Sequence, residues 1–133
     1  MKLIEVAAGL ILHEGRYLIA RRKAGVHLGG MWEFPGGKRE GGESLVDCLH
    51  RELREELNIL VRDPVPFQTV RHEYPEKTVE LHFFHCRMEG GDVIPLECAE
   101  VRWVLPSELE AFDFPAADQT VIRALQQAAG RPA

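Results

Sequence analysis

From residue 37 to residue 59 the chain reads Gly37-Lys38-Arg39-Glu40-Gly41-Gly42-Glu43-Ser44-Leu45-Val46-Asp47-Cys48-Leu49-His50-Arg51-Glu52-Leu53-Arg54-Glu55-Glu56-Leu57-Asn58-Ile59. Two patterns are superposed in it. Leu45, Leu49, Leu53 and Leu57 recur every fourth residue among good helix formers, which predicts an amphipathic helix over residues 44–57, with Asn58 able to end it in a left-handed conformation. At about 100° per residue, Glu52, Glu55 and Glu56 then share an arc of roughly 100° beside the leucine stripe. Carboxylates that close repel one another unless a cation sits among them, and oxygen ligands select a hard ion such as magnesium. Arg51, one step further round, can hold one of these carboxylates in place.

A charged solvent face is the ordinary reading of a helix containing Arg54 and Glu55. The glycine-rich approach to the helix separates the two readings. Trp32-Glu33-Phe34 predicts a short strand stopped by Pro35-Gly36-Gly37, and glycines without side chains let backbone approach a metal or phosphate closely. Lys38 then belongs beside phosphate. Arg21 and Arg22 end an earlier strand, where they are either a surface pair or partners of a triphosphate.

Working outward, residues 3–12 predict a largely buried strand, turned through His13-Glu14-Gly15-Arg16 into a second at residues 17–21. Residues 67–74 and 78–87 predict another hairpin through Pro75-Glu76-Lys77, and Arg102-Trp103-Val104 a further strand. Pro106 opens a turn of helix, and Asp118 stands where it could cap a closing helix whose apolar side is Val121, Ile122 and Leu125. The tail from Gly130 to Ala133 is expected to fray. Strands with two main helices and no repeat predict an α+β or α/β/α layered fold.

A length of 133 residues, 45% hydrophobic and 28% charged, predicts one globular domain spanning residues 1–133. Sixteen basic against 21 acidic residues leave a net charge of -5, the wrong sign for gripping long nucleic acid. The longest apolar run, Val6 to Leu12, is far short of the roughly 20 residues that cross a bilayer, and nothing resembles a secretory signal. A cytoplasmic setting is expected. Cys48, Cys86 and Cys98 lack paired metal spacing and are expected to pack as free thiols.

Gly37, Glu43, Arg51-Glu52-Leu53, Glu55-Glu56 and Ile59 closely resemble the Nudix box. A chance match in register is on the order of one in ten million per starting position. The glycine near the end of the box is Asn58 here, and both residues tolerate the left-handed cap. Within that superfamily the chain looks most like the MutT-type nucleotide pyrophosphohydrolases, from about Val6 to Leu125. The resemblance implies an α/β/α sandwich around a mixed sheet. It implies metal ligation or water activation by the Gly36 carbonyl, Glu52, Glu55, Glu56 and Glu97, with Arg51 in the catalytic set. Arg22, His27, Glu33, Phe34, Pro35, Gly36, Lys38 and Asp118 would face the nucleotide. Glu97, six residues before Trp103, would otherwise be a solvated loop residue. MutT-type members carry asparagine at the place of Asp118, and an ionised aspartate only accepts hydrogen bonds, so the base or its pose would differ.

The implied reaction is hydrolysis of a nucleoside triphosphate to nucleotide monophosphate and pyrophosphate, dependent on magnesium (Mg2+) with manganese (Mn2+) as a substitute. The implied substrate is an oxidised guanine nucleotide such as 8-oxo-dGTP. A related activity on CTP, dCTP or modified pyrimidine nucleotides uses the same box, and the base pocket discriminates between them. A non-catalytic Nudix-like nucleotide-binding module would be expected to lack the intact carboxylates. A purely structural domain requires the match to be accidental. Oligomeric state is open, and a monomer suffices for all of these.

Overall fold

The computed structural model describes residues 2–129, so the expected fraying at Gly130–Ala133 lies outside the described residues. At its centre is β1 (Lys2–His13), bonded along both edges. One edge runs parallel to β6 (Lys77–Gly90), from Lys2 opposite Lys77 to Leu12 opposite Arg87. The other edge is shared. Near its end β1 pairs antiparallel with β2 (Arg16–Arg21), while Val6 to Ala8 pair antiparallel with β4 (Gly36–Lys38). The handover falls at Gly9, whose N–H donates to the Pro35 carbonyl at 2.7 Å.

On the far side of β2 lie β3 (Trp32–Glu33) and β7 (Glu100–Val104), both antiparallel to it. Beyond β6 lies β5 (Leu60–Glu73), also antiparallel. The result is a mixed seven-stranded sheet.

The alternation of β1 explains its continuous apolar run. Ala7 and Ile11 enter a core with Leu49, Leu53 and Leu57 of α1 (Leu45–Leu57), while Ala8 and Leu10 enter a second core with Val121, Ile122 and Leu125 of α2 (Gln119–Ala129). Helices therefore cover both faces, and a strand buried on both faces reads as uninterrupted hydrophobic sequence. Leu49, Leu53 and Leu57 have no exposed surface; truncating such a leucine to alanine costs about 2 to 5 kcal/mol. Cys48, Cys86 and Cys98 are free and buried in the α1-side core, as their spacing predicts.

Two expectations are corrected. Gly36 and Gly37 do not end pairing: with Lys38 they form β4. A Cβ at Gly36 would collide with the Ala7 carbonyl oxygen, so glycine is what lets the strands meet. The strand expected from Phe67 begins instead at Leu60. Pro64 and Pro66 look like breakers, but β5 lies at the edge of the sheet, where a missing N–H is tolerated. Register slips between Arg62 and Val65 and between Pro66 and Gln68 absorb the irregularity.

Candidate active site

Both ends of α1 are secured by the residues flanking its leucine pattern. Ser44 Oγ accepts from the Asp47 N–H at 3.0 Å, and Asn58, at φ 59° and ψ 37°, closes the helix in the left-handed conformation. Between these caps, Arg51 is a hub. It donates to Glu43 through Nε and Nη2, at 3.0 and 2.7 Å, to Glu52 at 2.8 Å, to Glu55 at 3.2 Å and to the Lys38 carbonyl at 3.0 Å. The residue expected to hold one carboxylate holds three. Arg51 holds the Glu43 carboxyl down at about 2, chiefly by direct hydrogen bonding.

The neighbouring carboxylates are pushed the other way. Glu56 is only 6% exposed, and its carboxyl rises to about 8, first from burial and then from the negative charges of Glu33, Glu52 and Glu97. The Gly36 N–H bonds to it and partly offsets that rise. Burial also raises Glu52 against the pull of Arg51. The Glu52 carboxylate packs into the space that a Cβ at Gly37 would fill, so the glycine pair seats Glu52 and Glu56 together.

Glu97 reaches this field through a docked loop. Ile94 N–H donates to the Leu57 carbonyl at 2.9 Å and Leu96 N–H to the Glu56 carbonyl at 3.0 Å, fastening the segment before Glu97 to the end of α1. Glu97 thereby raises both Glu52 and Glu56. Glu56 is buried and Glu52 half-buried, while Glu55 and Glu97 are exposed, and a mutually repelling set of oxygen donors of this kind suits a hard divalent cation. Among the described residues, the three-residue group whose ligand atoms already lie within 4.8 Å of one another is a different one, Glu5, Glu80 and His82.

Above β4 opens a cavity of about 310 Å³. Arg22, His27, Glu33, Phe34, Gly36, Lys38 and Asp118 all line it. Arg22 Nη1 bonds Glu33 Oε2 at 2.8 Å, while its Nε donates to the His27 carbonyl at 2.8 Å. Burial raises the Glu33 carboxyl in spite of this arginine. Pro35, expected to face the nucleotide, is not among the lining residues: it is fully buried, its carbonyl committed to Gly9. Asp118 ends a short 3-10 turn, Ala116–Asp118, directly before α2. Its side chain is buried and makes no hydrogen bond among the described residues; burial, with Glu33 nearby, lifts its carboxyl to about 7. A neutral carboxylic acid can donate as well as accept, unlike the ionised form expected from sequence.

Sequence reading missed the opposite wall. His72, Tyr74 and Lys77, at the β5–β6 turn, and Phe83 also line the cavity. Tyr74 meets His72 and His27 with ring centroids 4.5 and 6.4 Å apart, and Lys77 lies over its ring at 5.5 Å. The available signal was an aromatic cluster at the tip of an expected hairpin; only the parallel pairing of β6 with β1 carries that tip to β4.

The chain matches the NUDIX domain family over residues 7–124. It is 34% identical over 128 residues to the 8-oxo-dGTP diphosphatase of Escherichia coli K12, covering 96% of this chain and 99% of that protein. It is 35% identical over 134 residues to the CTP pyrophosphohydrolase of the same organism, covering 100% and 99%. The solution structure of the E. coli ORF135 protein superposes with a TM-score of 0.82 at 34% identity, over 100% of this chain and 96% of that one. The fold and carboxylate helix define an α/β/α hydrolase with a nucleotide-sized cavity. The chain belongs to the Nudix family and is a Nudix hydrolase.

Proposed function

We propose that the chain hydrolyses a nucleoside triphosphate to the monophosphate and pyrophosphate, with magnesium as its ion and 8-oxo-dGTP as its leading substrate. The observation carrying this reading is the seating of Glu52 and Glu56 against Gly37 and Gly36, directly below a cavity lined by Arg22, Lys38 and Asp118. The Gly36 carbonyl, Glu52, Glu55, Glu56 and Glu97 would hold magnesium, with manganese as a substitute. A bound divalent ion neutralises phosphate charge and acidifies water.

Glu52 accepts the proton of the attacking water, and Arg51 positions that carboxylate rather than touching the substrate. Lys38 and Arg22 face the phosphates and stabilise charge there. Water adds to phosphorus as the phosphoanhydride bond breaks, and pyrophosphate leaves. Asp118, which lines the same cavity, reads the base edge, accepting from guanine N1–H and, when protonated, donating to O6. Oxidation turns guanine N7 from an acceptor into a donor, which gives a site with a suitably placed acceptor a means of selecting the damaged base.

A second reading, hydrolysis of CTP or dCTP, is favoured by the relative named for CTP, which matches the entire chain. A neutral Asp118 also complements cytosine, donating to N3 and accepting from N4. We assign the reaction to the cytoplasm, where the nucleotide pool lies and the three cysteines stay reduced. One chain suffices to line the cavity.

Pyrophosphate release from 8-oxo-dGTP, dGTP, dCTP and CTP, with magnesium, with manganese and with chelator, tests the proposal. The expected result is metal-dependent release with 8-oxo-dGTP highest in kcat/KM. A higher value for CTP or dCTP selects the second reading, and nucleotide binding without pyrophosphate release would overturn both.

A further inference from the structure

Apart from the Nudix helix, Glu5 of β1 and Glu80 of β6 stand opposite each other in the parallel ladder, with His82 two residues further along β6. Their side chains are 20 to 24% exposed. His82 Nε2 lies 3.6 Å from Glu5 Oε2 and 3.4 Å from Glu80 Oε1. Both separations exceed the ~2.7 to 3.2 Å of an N–H···O hydrogen bond. Nε2 is itself buried and without a hydrogen-bond partner.

The remaining polar atoms are committed outward. His82 Nδ1 pairs with the Thr69 hydroxyl at 3.3 Å, Arg39 holds Glu5 Oε1 at 2.9 Å, and Arg71 holds Glu80 Oε2 at 2.9 Å. Each group is thus anchored by its outer atom and turns its inner atom towards a common centre. Zinc–nitrogen and zinc–oxygen bonds of ~2.1 Å give a tetrahedral edge of about 3.4 Å, close to both separations.

We propose that Glu5, Glu80 and His82 form a second metal site, for a borderline transition-metal ion with zinc the best fit. One imidazole with two carboxylates suits zinc better than magnesium, which takes oxygen ligands in octahedral geometry. Three protein ligands leave a fourth position for water. The ion would clip β1 to β6 where Glu5 faces Glu80, with Thr69 fixing the ring through its other nitrogen, as outer-shell partners of metal-bound histidines do. The proposal does not depend on which nucleotide the enzyme hydrolyses.

The test is equilibrium dialysis of chelator-stripped protein against zinc in a large excess of magnesium, followed by metal counting. One zinc per chain is expected in the wild type and in Glu56→Gln, and at least a tenfold weaker affinity in His82→Gln and Glu80→Gln. Cobalt in place of zinc should give the intense visible absorption of a tetrahedral site in the wild type and lose it in His82→Gln. Metal-free melting checks that the variants fold. Should His82→Gln fail to fold, the ¹⁵N chemical shifts of the wild-type His82 ring on zinc addition decide, with a large Nε2 change expected. A zinc count of zero in the wild type, an unaltered count in folded His82→Gln, or unchanged ring shifts would overturn the site and leave a histidine between two carboxylates.

Discussion

Arg51 closes on the Glu43 carboxylate with two hydrogen bonds, Nε to Oε2 at 3.0 Å and Nη2 to Oε1 at 2.7 Å. Lysine keeps the charge but loses the fork that also reaches Glu52 and the Lys38 carbonyl. Arg51→Lys is expected to lower kcat by on the order of 10- to 100-fold, the scale of lost outer-shell support, with a smaller effect on KM. The Glu43 carboxyl is depressed to about 2, so its stabilisation is present above the ordinary value of 4.5 and is lost as pH falls through about 2. The loss of stability between pH 5 and pH 2 should therefore be larger in the wild type than in Arg51→Lys. Unchanged kcat and superimposable, scaled acid curves would remove Arg51 from its positioning role.

Glu56→Gln is expected to abolish magnesium-dependent turnover while leaving the fold intact. The sign of its stability effect is also fixed. The carboxyl is raised to about 8, so its contribution is full below the ordinary 4.5 and declines as pH rises through about 8. Without metal, the variant should gain in Tm relative to wild type between pH 5 and pH 9. Magnesium should raise the wild-type Tm and leave the variant nearly unmoved; near wild-type rates at low magnesium would contradict the assignment.

Glu52→Gln separates chemistry from binding. If Glu52 takes the water proton, kcat falls by roughly 10²- to 10⁴-fold while KM changes little. A raised KM with unchanged kcat would place the residue in uniform substrate binding instead.

Gly37→Ala inserts a methyl group where the Glu52 carboxylate sits, so it should act largely through Glu52. The expected cost in stability is about 1 to 3 kcal/mol, typical of overpacking, accompanied by a fall in kcat. Combining it with Glu52→Gln should produce less than the product of the two separate losses; full multiplicativity would show that the glycine acts elsewhere.

Asp118 carries the base preference. Asp118→Asn should shift relative kcat/KM among 8-oxo-dGTP, dGTP and dCTP by roughly 1 to 3 kcal/mol. The wild-type carboxyl is raised to about 7, so stabilisation present below 3.8 is lost as pH rises through about 7. The melting temperature of the variant should accordingly gain on the wild type from pH 4 to pH 8. Unchanged substrate ratios would leave Asp118 outside base recognition.

Local chemistry made much of this molecule readable. The four-residue leucine spacing, Ser44 and Asn58 mark α1 to within a residue, and the apolar run of β1 announces a strand covered on both sides. Features that depend on distant backbone were less visible. Gly36 and Gly37 look like a turn until Ala7 and Ala8 are known to lie beside them. Pro64 and Pro66 suggest a loop because nothing local says that β5 is an edge strand. Tyr74 gives no sign of lining one cavity with Asp118, and Glu5 none of facing His82, before the parallel pairing of β1 with β6 is known.

That pairing has a consequence for how the chain comes off the ribosome. The most central strand is made before the other strands of the sheet, yet its long partner begins at Lys77, and β2 waits for Glu100 to Val104. The first hairpin can form early, but it carries two unsatisfied edges and two uncovered apolar faces until most of the sequence has emerged. Closing such distant contacts is slow relative to local helix formation. The nascent protein must keep its most hydrophobic strand from other chains during that interval, so aggregation during synthesis, rather than loss of the finished fold, is the hazard this topology carries.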